Sequence, residues 1–171
     1  MIERFGKNEI DAVVKSINKS SLLSGYTNKF LGGEILQKFE KEFAKFHNCK
    51  YGISVNSGTS ALFVAQLAAG IKKNTRVSIP SITFTATTSQ VIATGGIPNF
   101  VDIDPNSYCM DFNFKNKTKY AIPVHLLGHP CDFDMIKQMK DNGMFVIEDC
   151  AQAMGAKFKN KSVGSIGDCG I

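Results

Sequence analysis

Paired cysteines are missing from this chain. Its five, Cys49, Cys109, Cys131, Cys150 and Cys169, are odd in number and none forms a CxxC pair. That pattern indicates neither a disulfide framework nor a zinc site, and a reducing cytoplasm is the simplest compartment. Also missing are a charged head followed by an apolar stretch and any run of about 18 apolar residues. A secretory signal and a membrane span are therefore not expected. No block of five or six like charges occurs, and no basic run is interleaved with aromatics, so nucleic acid is not an expected partner. Neither a Walker loop nor a GxGxxG fingerprint is present, and no internal repeat or low-complexity linker interrupts the chain.

What remains is an ordinary globular composition. The 171 residues are 43% hydrophobic, with 20 basic and 15 acidic side chains and a formal charge of +5. This suits one domain with a real core and a mildly basic surface, which favours anionic small molecules. In KNEIDAVVKSINKS, residues 7–20, Ile10, Val13, Val14 and Ile17 recur at helical spacing, and Gly25 marks a break. EILQKFEKEFAKF predicts a second amphipathic helix with Ile35, Leu36, Phe39, Phe43 and Phe46 in one stripe. From Tyr51 the pattern changes to a short apolar strand, a small polar turn and an alanine-rich helix closed by a glycine.

Strand then alternates with helix. RVSIP, IPNFVDI, KYAIPV and MFVIED read as strands, DFDMIKQMKDNG as a helix, AKFKNKSVG as a hairpin around Asn160-Lys161. Several strands are apolar on both faces, which predicts a parallel sheet covered on two sides, an α/β protein. The chain stops at GDCGI, in what reads as a strand just beginning, so a truncated architecture is expected.

Four stretches carry chemistry. In VNSGTSAL, Asn56 to Ser60 stand where a strand hands over to a helix, and free amides with the hydroxyls of Ser57, Thr59 and Ser60 suit a phosphate; a plain helix N-cap suits them too. Phe84, in PSITFTATTSQ, follows a strand's carboxyl end, the place where open α/β sheets bind ligands. It can lie on a planar ring or fill the core. His125 and His129 are four apart, but Gly128 and Pro130 break any helix between them, so a shared metal ion is not expected. His125 could meet a ligand at the sheet rim or serve as a packed structural histidine.

The fourth is VIEDCAQAMGA. Neighbours on a strand point to opposite faces, so Glu148 and Asp149 cannot share one role. A carboxylate at a buried rim loses several kcal/mol of hydration unless something cationic meets it. No basic residue lies nearby in sequence, so the partner is an arginine or helix amide from elsewhere, or a ligand.

In this order, SGTSAL, PSITFTAT, FVDIDP, IPVHLLG, VIEDCAQAMGA and KSVGSIGD resemble the sugar aminotransferases of the DegT/DnrJ/EryC1/StrS family, which use pyridoxal 5'-phosphate. The resemblance includes the early FLGGEILQKFEKEFAKF. It implies an incomplete aspartate-aminotransferase-like (fold type I) large domain, with residues 1–48 a helical segment and 49–171 the first part of the cofactor-binding domain. It implies that Ser57, Thr59 and Ser60 hold the phosphate, Phe84 stacks on the ring, Asp149 meets the ring nitrogen and Gln152 approaches the ring hydroxyl. A carboxylate there would keep the ring nitrogen protonated.

The implied reaction moves an amino group, with glutamate as donor, to a nucleotide-linked keto sugar in amino-sugar and surface-polysaccharide biosynthesis, in a homodimer. The family's Schiff-base lysine is expected roughly ten residues past Ile171. No catalytic residue is therefore assigned, and Lys157, Lys159 and Lys161 are expected to stay solvated on the hairpin. The isolated chain is expected to show no transaminase turnover. A non-catalytic remnant or partner subunit that keeps a phosphate pocket, or part of a related lysine-less sugar dehydratase, is the alternative.

Overall fold

The computed structural model describes residues 5–18, 32–111 and 118–171. It divides into two compact units, one up to Ser54 and one from Val55 onward. Lys19, Ser20, Gly25, Phe30 and Leu31, used in the helix and family readings above, lie outside the described residues.

The first unit holds α1 (Lys7–Asn18) and α2 (Glu34–Phe46). Both expected stripes form, and both stay largely exposed: Ile10, Val13, Val14 and Ile17 on α1, and Ile35, Phe39, Phe43 and Phe46 on α2. Helix α2 ends where Asn48 turns left-handed (φ 56) and the Cys49 amide bonds back to Ala44 O at 2.8 Å. Asn tolerates that conformation better than most side chains, which makes it a natural helix terminator. Glu40 then accepts from both the amide and the hydroxyl of Ser54, at 2.7 and 2.8 Å, and anchors the outgoing chain to the helix.

The second unit is built on a parallel sheet. Its strands are β1 (Arg76–Pro80), β2 (Ile97–Val101), β3 (Tyr120–Ala121), β4 (Phe145–Glu148) and β7 (Cys169–Gly170), in the order β2-β1-β3-β4-β7. Helices α3 (Gly58–Ala68), α4 (Thr85–Ala93) and α5 (Phe133–Asp141) cover it, and a hairpin of β5 (Lys157–Phe158) and β6 (Lys161–Ser162) precedes β7. The period-2 alternation of side chains divides the core. Val77, Ile79, Ile122 and Ile147 pack with Leu62, Ala86 and Val91 of α3 and α4. Ala121 and Val146 pack instead with Phe133, Ile136 and Met139 of α5. The α/β reading with helices on both faces holds.

Three local readings differ. Residues 51–55 are not a strand. A strand exists only through its hydrogen-bonded neighbour, and among the described residues that segment has no ladder partner. The hairpin turns one residue earlier than expected, at Lys159 and Asn160, whose φ values of 48° and 63° are those of a tight primed turn. In addition, β3 is shorter than KYAIPV suggested, although Val124 still bridges to Asp149.

Gly170 is required by crowding. A Cβ there would stand 2.6 Å from Gly164 Cα and 2.8 Å from Gly164 O. Gly170→Ala should therefore lower stability by about 1–3 kcal/mol, the range for overpacking. Urea denaturation checks this, and an unchanged midpoint would contradict the contact.

Candidate cofactor site

Helix α3 begins at the carboxyl edge of the second unit. Ser57 is its N-cap, with extended backbone (φ −164, ψ 159) and a side chain that accepts from the Ser60 amide at 3.1 Å. Its own hydroxyl proton goes to Ser60 Oγ at 3.0 Å. Helix geometry leaves the Gly58 and Thr59 amides pointing outward along the axis. No acidic residue occupies the first turn. A shallow depression of about 540 Å³ opens here, bordered by Asn56, Thr59, Ser60 and Gln90. Both the cap and the anion readings of SGTS are thus compatible with one structure: Ser57 caps, and the rest of the turn faces outward.

The strand end at β4 separates its two acids as alternation demands. Glu148 is fully buried on the α5 side. Its Oε1 accepts from the amides of Ile166 and Gly167 at 2.8 and 2.6 Å, and its Oε2 from Gly164 N and His125 Nε2, both at 3.0 Å. Burial pushes this carboxyl up, but the His125 hydrogen bond and the Gly167 and Gly164 amides outweigh it, and the net direction is below the ordinary value. The Cys131 amide donates to His125 Nδ1 at 2.9 Å, so that nitrogen carries no proton and Nε2–H is the donor to Glu148. His125 is therefore the packed histidine of the two readings, with no exposed ring atom and both nitrogens engaged.

His129 lies exposed, its Nδ1 near Pro130 O at 3.2 Å, and does not join it. His125, Glu148 and Cys150 have ligand atoms within 4.8 Å of one another. With both imidazole nitrogens committed, this is a hydrogen-bonded core and offers no open coordination position.

Asp149 faces the other way. It is 5% exposed, and its carboxylate accepts from the Thr87 hydroxyl through Oδ2 at 2.9 Å and from the Ala151 amide through Oδ1 at 3.2 Å. Burial pushes its pKa above the ordinary value; the Ala151 amide and the Thr87 hydroxyl pull against that without cancelling it. An ionised carboxylate offers about four acceptor positions. No lysine or arginine among the described residues pairs with it.

The surrounding positions converge on this edge. A Cβ on Gly58 would sit 3.7 Å from Ala151 Cβ, so the first turn of α3 adjoins the segment that leaves Asp149. Phe84 stands at the N-cap of α4, three residues before Thr87, and is 65% exposed. That removes the core reading of this ring. Gln152 is exposed and accepts from Leu127 N at 2.9 Å, tying it to a turn in which Leu127 is left-handed (φ 52). The hairpin lysines behave as expected: Lys157, Lys159 and Lys161 are exposed, and Lys159 pairs with Asp134 at 2.8 Å, which raises its pKa.

Two functional features were not legible. Thr87 looked like one more small polar residue, although its spacing from Thr83, four apart on a helix start, was a usable signal. The partners of Glu148 are mostly backbone amides, which no composition reveals.

Comparison with known proteins gives this edge a context. GDP-perosamine synthase from Escherichia coli O157:H7 is 42% identical over 142 residues, which is 80% of this chain and 39% of that protein. The aminotransferase from Psychrobacter cryohalolentis superposes with a TM-score of 0.86 at 37% identity, over 97% of this chain and 42% of that one. The E. coli GDP-4-keto-6-deoxy-D-mannose-3-dehydratase with bound hydrated PLP gives a TM-score of 0.84 at 26% identity, over 96% of this chain and 43% of that one. The chain thus spans about two fifths of the length of these relatives. The profile of one family covers residues 7–171. The chain belongs to the DegT/DnrJ/EryC1/StrS aminotransferase family.

Proposed function

We propose that residues 55–171 bind pyridoxal 5'-phosphate for an aminotransferase acting on nucleotide-linked keto sugars. The observation that carries the reading is Asp149: a buried carboxylate with two donors, no lysine or arginine partner among the described residues, and the open first turn of α3 beside it. The donor set fits the cofactor. An anionic phosphate suits the outward amides of Gly58 and Thr59 and the hydroxyls of Thr59 and Ser60, in a turn that Ser57 holds in place as the cap. A heteroaromatic ring suits the exposed face of Phe84, and a ring N–H⁺ suits the remaining acceptor capacity of Asp149. Gln152, anchored through its oxygen to Leu127, has its NH₂ to offer a ring hydroxyl.

Bound with its ring nitrogen protonated, the cofactor supplies an electron sink for a carbanion. The chain's own part is to keep that nitrogen charged through Asp149, to fix the ring plane through Phe84 and to anchor the molecule through its phosphate. For the whole protein, glutamate as amino donor, a homodimeric assembly and a role in surface-polysaccharide synthesis belong to the same reading. The nucleotide-linked sugar in it draws on the name of the E. coli relative, GDP-perosamine synthase. The similarity to a sugar 3-dehydratase favours a second reading, loss of a hydroxyl instead of gain of an amine, from the same cofactor half-site. Product analysis separates the two.

Pyridoxamine 5'-phosphate is the suitable probe, because it has the ring and phosphate but no aldehyde to react with surface lysines. Calorimetry should show it binding at least about tenfold more tightly than pyridoxamine, a difference of about 1.4 kcal/mol. Ser60→Ala should narrow that gap. Equal affinity for the two, or no binding of either, would refute the phosphate assignment.

A further inference from the structure

Asp149 is held by a chain of hydroxyls that the cofactor contacts do not require. Thr87 is fully buried in α4, and its Oγ1 donates to Asp149 Oδ2 at 2.9 Å. One turn earlier, Thr83 Oγ1 lies 2.9 Å from Thr87 Oγ1. A hydroxyl has one proton, and an ionised carboxylate only accepts. Thr87 has committed its proton to Asp149, so Thr83 must be the donor to Thr87. The series Thr83 to Thr87 to Asp149 therefore has one direction while Asp149 is charged.

We propose that Thr87 is the positioning residue of this site: its hydroxyl, oriented by Thr83, keeps the Asp149 carboxylate charged and in one orientation before any cofactor arrives. Burial opposes the charge, and each hydrogen bond to the ionised form favours it. The groups facing Asp149 are few. Thr87 comes from α4 and Thr83 from the segment just before it, the Ala151 amide comes from the following turn, and the His125 imidazole, neutral and turned to Glu148, lies on the β3 side. Glu148, the nearest other acid in sequence, points to the opposite face. Of these, the threonine hydroxyls are the contacts that a side-chain change can remove without altering the backbone. The functional consequence rests on the reading of Asp149 as the ring-nitrogen partner.

The test is a carboxyl ¹³C NMR titration of Asp149 in the 171-residue chain without cofactor, in wild type, Thr87→Val, Thr87→Ser and Thr83→Val. Val keeps the shape of Thr and removes the hydroxyl. Thr87→Val should raise the Asp149 pKa by about one unit, Thr87→Ser should restore it to within about 0.3, and Thr83→Val should give a smaller rise. A merely structural threonine would not show serine rescue of a titration. An Asp149 titration unmoved by Thr87→Val, or a Thr87→Ser curve that follows valine, overturns the proposal. If Thr87→Val does not fold, Thr83→Val decides: a rise supports the relay and an unmoved curve overturns it. Pyridoxamine 5'-phosphate binding is measured separately in wild type. Failure there removes the cofactor reading and leaves the relay standing; an unmoved titration does the reverse.

Discussion

Asp149→Asn is expected to weaken pyridoxamine 5'-phosphate binding by about ten- to a hundredfold while leaving the fold at pH 7 as stable as wild type or more so. On the proposed role of Asp149, the loss follows from removing the charge on a hydrogen bond to a cationic ring nitrogen, worth about 1.5–3 kcal/mol. The stability follows from the sign of the Asp149 shift. Burial raises its folded pKa above the ordinary 3.8. A carboxyl raised on folding contributes stability that is fully present below the unfolded value and is lost as pH rises through the folded one. At pH 7 that contribution has gone, and the fold carries a buried charge whose partners do not offset its burial.

The introduced amide is neutral, and it disturbs the neighbours little. Its oxygen can accept from Ala151 N, and its NH₂ can donate to Thr87, whose proton then turns to Thr83. Calorimetry gives the affinity, and thermal unfolding from pH 4 to 8 gives the stability. In wild type the melting temperature should fall relative to the variant as pH rises from the ordinary carboxylate value through the raised one. An affinity unchanged within twofold would remove Asp149 from the site, and a large loss of stability at pH 7 would mean the carboxylate is better compensated than its two donors suggest.

The parts of this molecule legible from sequence are those set by local pattern. Strands β1, β2 and β4 and helix α5 fall where the apolar runs and the helical spacing of Phe133, Ile136 and Met139 put them, because burial on known faces fixes both period and register. The opposite orientation of Glu148 and Asp149 was legible for the same reason. Residues 51–55 show where this stops: an apolar run becomes a strand only if a neighbouring strand offers a ladder, and that is a non-local fact. The charge balance of the two acids was equally non-local. Sequence demanded a partner for a buried carboxylate, but those found for Glu148 come from positions 125, 164, 166 and 167, and the side-chain partner of Asp149 from position 87. A hydroxyl from a distant helix and amides of an irregular loop leave no compositional trace.

Glu148→Ala is expected to be the most damaging single change in the second unit, at about 3–5 kcal/mol, because it strips one partner from a buried network. The amides of Gly164, Ile166 and Gly167 and the His125 Nε2–H would all lose their acceptor. Glu148→Gln should be little better. Its oxygen can replace Oε1 against Ile166 and Gly167, but its NH₂ would then face two donors, Gly164 N–H and His125 Nε2–H. His125 cannot change tautomer to help, since its Nδ1 already accepts from Cys131 N.

The pH dependence separates this acid from its neighbour. The folded pKa of Glu148 lies below its ordinary 4.5, so its contribution is present above that value and is lost as pH falls through the folded one. The gap in urea stability between wild type and Glu148→Gln should accordingly be full at pH 7 and shrink on acidification below about 4.5. A gap independent of pH would mean the loss is steric and not ionic. The effect should also reach the site, because Glu148 ties the 164–167 loop to the strand whose next residue is Asp149. Weaker cofactor binding in Glu148→Gln, with the ring contacts themselves untouched, would be the sign that the two acids on opposite faces of one strand end act through the same backbone.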